Sequence, residues 1–367
     1  MMIGFDIKNS FCRIFSIVLL CFYIFPFNFL LSQSSDYPET RDELFQGEEI
    51  LQISLVGNIK ELMKDRREDA SYHPMKIFYK EDSITTIFED VKVKVRGNFR
   101  RLRENCKKPP LTLNFDKDSV SEASIFHGQN KLKLVVPCVD EKHAIREYLV
   151  YKMYNIITEY SFRVRLIKLI YVDTHKKETS DPQYAFLIED EDQMAARNES
   201  IIYKINRLHP KNLYKDEFHK MAVFAYMIGN TDWSVQYRHN IKLIYKKEFN
   251  EVISVPYDFD LSGIVGSPYA KPAEALRLRS VKHRRYRGYC LENIKELDPV
   301  FDHFKSKKRE LYQLYQDCTL LEEDYVKSTL KYLDKFYQTL EEEKKYKKDF
   351  LYPCDEYGTG NIVLKGM

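Results

Sequence analysis

Hydrophobic and polar positions alternate along much of the first half of the chain. Ile50, Gln52, Ser54 and Val56 alternate with Leu51, Ile53 and Leu55, and short runs at Ile77–Tyr79 and Ile84–Ile87 suggest further strands. Asp90–Arg96 (DVKVKVR) puts valines on one face and lysines with Arg96 on the other. Pro110–Phe115 (PLTLNF) and Lys131–Val136 (KLKLVV) repeat that period. A period of two marks a half-buried strand, so residues 50–136 read as a mostly antiparallel sheet. The period then changes. Asp140 is a candidate N-cap, and Ile145, Leu149, Met153 and Ile156 form a helical stripe that runs to about Glu159. Strands return at Leu166–Val172 and Tyr184–Ile188, and residues 190–220 read as helical or irregular. Phe218, Met221, Ala222 and Ala225 define a helix ending at Gly229. Two long helices, about 298–317 and 320–348, close the pattern. Lys and Glu alternate along the second, as on a solvated face.

The stretch Gly229–Gly263 (GNTDWSVQYRHNIKLIYKKEFNEVISVPYDFDLSG) concentrates the chemistry. Asp232 lies in a polar turn after the helix. Asn240 opens the strand Ile241–Tyr245, and a second strand, Val252–Val255, returns and delivers Asp258 and Asp260. In a hairpin the start of one strand lies beside the end of the next. Asn240 and Asp258 are therefore expected to meet. Asp258 and Asp260 flank Phe259 and are expected to project to one side. Like charges so close need a cation, and oxygen donors of this kind suit Mg²⁺ or Mn²⁺. Asp232 is a candidate general base. A helix-ending turn, a strand-opening hydrogen bond and a solvated acidic turn are the plain alternatives for the three sites.

Other positions carry weaker signals. Lys131 and Lys133 share the strand face opposite Leu132 and Leu134, and either is a candidate for holding phosphates. Glu147 on the following helix is placed to pair with such a lysine, and Arg146 beside it is an alternative phosphate ligand. Arg96 and Lys108 lie on the preceding hairpin and are candidates to cover phosphates. His239 is a candidate metal ligand, with a loop-bonded histidine as the commoner outcome, and Trp233 reads as a packing anchor. Arg284, Arg285 and Arg287 are candidates to meet an acidic substrate, with a solvated basic face as the plainer reading.

Composition bounds the reading. The chain has 367 residues, 44% of them hydrophobic, which is enough for one large domain or two lobes. A net charge of +3 gives no reason to expect nucleic acid. No glycine-rich nucleotide loop of the Walker or dinucleotide type is present, which argues against both of those folds. Ile14–Leu31 is almost wholly apolar, with Lys8 and Arg13 before it and small polar residues after it. Residues 1–33 are therefore expected to be a signal peptide or an N-terminal anchor. That implies a secreted or cell-envelope protein, with membrane contact only through this segment if it is uncleaved. Beyond it remain Cys106, Cys138, Cys290, Cys318 and Cys354, compatible with one or two disulfides or with buried free thiols. The expected organisation is α+β: a flexible leader at 34–47, a β-rich N-lobe with one helix at 48–189, a mainly helical C-lobe carrying the hairpin at 190–350, and a tail at 351–367.

Several blocks resemble the CotH kinase-like family, in the family's order. KVKVRGNFRR (92–101) is similar to its strand ending in an Arg-Gly-Asn turn, and NCKKPPLTLNF (105–115) to the strand that comes next. KLKLVVPCVDEKHAIREYLVYKMYN (131–155) is similar to its lysine strand and Arg-containing helix, and YAFLIEDED (184–192) to a strand ending in an acidic hinge. GNTDWSVQYRHNIKLI and VPYDFD match its Asn-x-Asp … Asn and Tyr-Asp-Phe-Asp signatures. The resemblance covers roughly 90–265, and the last two motifs are the most specific. It implies a bilobed atypical protein-kinase-like fold and transfer of the γ-phosphoryl of ATP to a protein hydroxyl. By position, Asp232 would orient the acceptor hydroxyl. Asn240 and Asp258, with Asp260, would hold Mg²⁺. Lys133 or Lys131, supported by Glu147, would contact phosphates, and Glu189 would lie near the adenine. Two other functions stay open: a pseudokinase that binds protein or has a structural role at the surface, and a metal-dependent phosphoesterase using Asp232, His239, Asp258 and Asp260.

Overall fold

In the computed structural model, residues 43–80, 86–351 and 363–365 are described. The expected targeting segment, most of the leader and most of the tail lie outside them. The first elements in order are α1 (Glu43–Gln46), β1 (Leu51–Gly57), α2 (Ile59–Lys64), β2 (His73–Lys80), β3 (Thr86–Val95), β4 (Leu111–Asn114) and β5 (Lys131–Val135). They are followed by α3 (Glu141–Ile157), β6 (Val164–Asp173), β7 (Glu178–Thr179) and β8 (Gln183–Ile188). Alternation in the sequence becomes alternation in space. Val91, Val93 and Val95 of β3 are buried while Lys92 and Lys94 point outward. Leu132 and Leu134 of β5 join the same interior as Ile53, Leu55, Leu111 and Leu113. Each such side chain taken from water contributes about 1.5–3 kcal/mol.

The strand order is β1-β2-β3-β4-β5-β8-β6, antiparallel at each step. β6 then pairs with β1 in parallel, from Leu51↔Ile167 to Gly57↔Asp173. Among the described residues, seven strands thus close into a mixed barrel, with β7 added on β6. This corrects the expected fold. A bilobed kinase-like arrangement has an open β-rich N-lobe apart from a helical C-lobe, whereas here the sheet closes on itself. Closure satisfies the edge groups that an open sheet exposes. The parallel pairing joins segments more than a hundred residues apart, which local alternation does not encode.

Nor does the α3 helix belong to the barrel interior. Asp140 caps it, accepting from the Lys142 amide at 3.0 Å. Its buried residues pack outside the barrel, with Val164, Leu166, Phe186 and Ile188, in a second core. β6 and β8 therefore read as nearly continuous apolar runs because both of their faces are covered. The second core also holds α4 (Glu191–Arg197), α5 (Lys215–Ile228), α6 (Asp298–Gln316), α7 (Glu323–Glu341) and α8 (Glu343–Phe350). A small sheet, in the order β11 (Glu251–Pro256), β10 (Ile241–Lys246), β9 (Ser200–Ile202), packs among these helices. The described residues belong to one compact unit rather than to two lobes. Among the described residues, no helix is long and apolar enough to cross a membrane.

Candidate active site

The site grows from the end of α5. Gly229 caps that helix at φ +70, a conformation that favours glycine. A Cβ there would also stand 2.9 Å from the Val281 carbonyl oxygen. Asn230 turns the chain, its side-chain oxygen accepting from the Asp232 amide at 2.9 Å. Buried Arg287 ties the loop down from behind, donating to the carbonyls of Thr231 (2.7 Å) and Trp233 (2.6 Å). The chain then folds back through reciprocal backbone bonds between Ser234 and His239, each 2.9 Å. This return sets His239 Nε2 2.9 Å from Asp232 Oδ1. The side-chain Nδ2 of Asn240 donates to Asp232 Oδ2 and to its carbonyl oxygen, both at 2.9 Å. Asp232 is thereby held from both sides. The hydrogen bond to its carboxylate raises the His239 pKa.

The hairpin meets its expectation. Ile241 pairs with Pro256, and the Tyr257 amide donates to the Asn240 carbonyl at 3.0 Å. Asn240 (φ +51) and Asp258 (φ +64) both occupy the left-handed region, where a non-glycine residue stores strain of a kind that collects at functional sites. The Asp258 amide donates to the buried Tyr151 hydroxyl of α3 at 2.8 Å. Phe259 locks the turn, its ring 4.7 Å from that of Tyr151.

Asp260 sits deeper. Its Oδ2 accepts from Tyr269 at 2.9 Å and lies 3.7 Å from Arg100 Nη1, which is also 3.7 Å from Glu147 Oε2. All three charged groups are buried. Burial, and then the charge of Asp258, pushes Asp260 up to about 7, against the pull of Arg100. Burial and Asp260 raise Glu147 well above the carboxylate range. Burial alone would lower the Arg100 pKa, but the surrounding anionic groups raise it. The Arg100 loop is fastened by a disulfide between Cys106 and Cys138. Cys290 is also disulfide-bonded, and Cys318 is free.

Asp232, Asn240, Asp258 and Asp260 line one cleft of about 540 Å³, and Lys133 and Arg96 line it too. Lys133 Nζ lies 4.4 Å from the centroid of the Tyr257 ring and 5.4 Å from that of Phe162. Burial, with the charges of Arg96 and Lys242, lowers its pKa to about 7.

Other candidates lie elsewhere. Lys131 is exposed at the start of β5 and does not line the cleft. Glu147 pairs with Arg100, not with Lys133. Glu189 is spent on Arg197, with bonds of 3.0 Å to each of its oxygens, and does not line the cleft. Lys108 bonds Gln183. The Arg284 guanidinium donates to the carbonyls of Met227 and Tyr332, so Arg284 and Arg287 brace the structure instead of forming a solvated face. Arg100, Tyr151 and Tyr269 escaped the sequence reading. Arg100 at least lies in the visible basic run Arg96–Arg103.

Among the described residues, no three His, Cys, Asp or Glu side chains are grouped to hold a metal ion. Magnesium seldom needs such a cage, being held by one or two carboxylates together with substrate phosphates. The Asp258 carboxylate and Asn240 Oδ1 fit that pattern, since Asn240 engages Asp232 through Nδ2 and its oxygen is the acceptor end of the amide. Asp260 fits it less well, since Tyr269 and Arg100 already engage it. A scan against protein-family models finds none that matches this chain, and a search of curated proteins finds no similar one.

Proposed function

We propose that the cleft binds ATP with a divalent cation and transfers its γ-phosphoryl to a protein hydroxyl, in line with the resemblance to the CotH kinase-like family. The observation that carries the proposal is the meeting in one cleft of a doubly oriented base, Asp232, an oxygen-donor pair, Asn240 and Asp258, and a cationic wall. Phosphoryl transfer asks a protein mainly for positioning and charge neutralisation. Asp232 accepts the hydroxyl proton. His239 and Asn240 hold its two oxygens so that the remaining lone pairs face the acceptor. Lys133 and Arg96 meet phosphate oxygens. Lys133, its pKa lowered to about 7 by burial, takes up a proton as the anion arrives. Asp258 and Asn240 would hold Mg²⁺ or Mn²⁺, which when bound neutralises phosphate charge.

A second reading, nucleotide binding without transfer, draws on the engagement of Asp260 by Arg100 and Tyr269. For a phosphoesterase, His239 is the one histidine among the described residues lining the cleft, too few for a metal hydrolase of the usual kind. Purified protein would be incubated with γ-labelled ATP, Mg²⁺ or Mn²⁺ and a generic protein acceptor, beside Asp232→Asn and Asp258→Asn. Label transfer lost in both variants supports the kinase. Metal-dependent ATP binding without transfer supports the second reading. Absence of both sinks the proposal.

A further inference from the structure

A second cavity, about 230 Å³, opens behind the Asp258–Asp260 turn. Its floor is Gly263–Gly266, the chain just beyond Asp260, and its wall is one face of α7. That face presents Ser328, Lys331 and Lys335, with Lys282 opposite. The fourth cation is Arg146, neighbour of Glu147 on α3. Its guanidinium lies 3.7 Å from the centroid of the Tyr325 ring, and its Nε is buried with no hydrogen-bond partner.

The charge here is one-sided. No carboxylate is among the lining residues. Glu322, outside the lining, bonds Arg146 Nη2 at 3.2 Å; the arginine side chain is 12% exposed and the glutamate 55%, so the pair meets part of the arginine's charge from the solvent side. Among the described residues, Lys282, Lys331 and Lys335 have no ion-pair partner. Lys331 and Lys335 stand four apart on one helix, where like charges repel. The cavity is smaller than the roughly 300–1,000 Å³ of drug-sized ligand sites. It suits one compact oxyanion with several negative oxygens.

We propose that this cavity is a phosphomonoester site, in which Arg146, Lys282, Lys331 and Lys335 hold the dianion and Ser328 adds a hydroxyl donor. An arginine edge beside several lysines is the usual chemistry for a phosphate. The source is free phosphate or a phosphorylated side chain. Either would rest on both α3 and the segment leaving Asp260.

The test is calorimetric titration with inorganic phosphate, and separately with an O-phosphoserine peptide, at constant ionic strength. Lys331→Gln/Lys335→Gln changes only exposed side chains, and its fold is checked by circular dichroism. Arg96→Gln/Lys133→Gln disables the main cleft as a control. Saturable binding of at least one probe at ~1 mM or tighter is expected. It should survive the control and weaken at least ~10-fold in the α7 variant, the loss of about one charge-assisted hydrogen bond. Tighter binding of the peptide assigns the site to a phosphorylated chain, and equal or weaker binding to free phosphate. No saturable binding of either probe, binding unchanged in the α7 variant, or binding lost in the control overturns the proposal.

Discussion

Asp260→Asn is expected to stabilise the protein at alkaline pH and to do nothing at acid pH. The wild-type carboxyl is 10% exposed at its side chain, so solvent screens it little. Its pKa rises from 3.8 to about 7 because burial and the charge of Asp258 outweigh Arg100. Between those values the folded state keeps a proton that the unfolded state has lost. Stability therefore falls as pH rises from about 4 to about 7. At 1.36 kcal/mol per unit the penalty is on the order of 4 kcal/mol once complete. Asparagine is nearly isosteric, can still accept from Tyr269 and carries no charge, while Arg100 keeps Glu147. Urea denaturation of both proteins at pH 4, 6 and 8, with linear extrapolation to water, gives the comparison. The gain should be near zero at pH 4 and about 2–4 kcal/mol at pH 8. A difference that does not change with pH, or a variant less stable at pH 8, would refute the reasoning. It would mean that Asp260 is ionised and held by Arg100 as a net favourable pair.

Other outcomes follow from the same geometry. Asp232→Asn should cut label transfer at least ~100-fold, the reach of a lost general base, with the unfolding free energy within ~1 kcal/mol of wild type. The His239 pKa, raised by Asp232, should fall towards its ordinary value in that variant when followed by NMR titration. A histidine of raised pKa adds stability that is full below its unfolded pKa and lost as pH rises through the folded one, so this contribution should vanish in the variant. Lys133→Met should weaken Mg-ATP binding at least ~10-fold, while Lys131→Met changes it less than ~2-fold, both read by calorimetry. Cys106→Ser/Cys138→Ser opens a link across 32 residues and should cost ~3–4 kcal/mol in urea unfolding.

The strands, the capped α3 helix and the hairpin were legible because each depends on neighbours in sequence. DVKVKVR alternates because one face meets the barrel interior. Asp140 caps because its side chain reaches an amide two residues on. Asn240 and Asp258 meet because hairpin pairing is local. The lysine strand was legible only as a pair, and burial separates the cleft-facing Lys133 from the exposed Lys131. Glu189 misled because a carboxylate at the end of a strand gives no local sign that Arg197 will neutralise it.

The sequence by itself determined the elements, their inward faces and the oxygen donors at Asp232, Asn240 and Asp258. Only the tertiary structure decided that β1 and β6 close a barrel. The same holds for Arg100 entering between Glu147 and Asp260, and for Arg287 bracing the Asp232 loop. Periodicity and capping are short-range effects written into neighbouring residues. Closure and buried charge pairing join residues tens to more than a hundred positions apart. They are selected by which groups remain unpaired once the chain has collapsed.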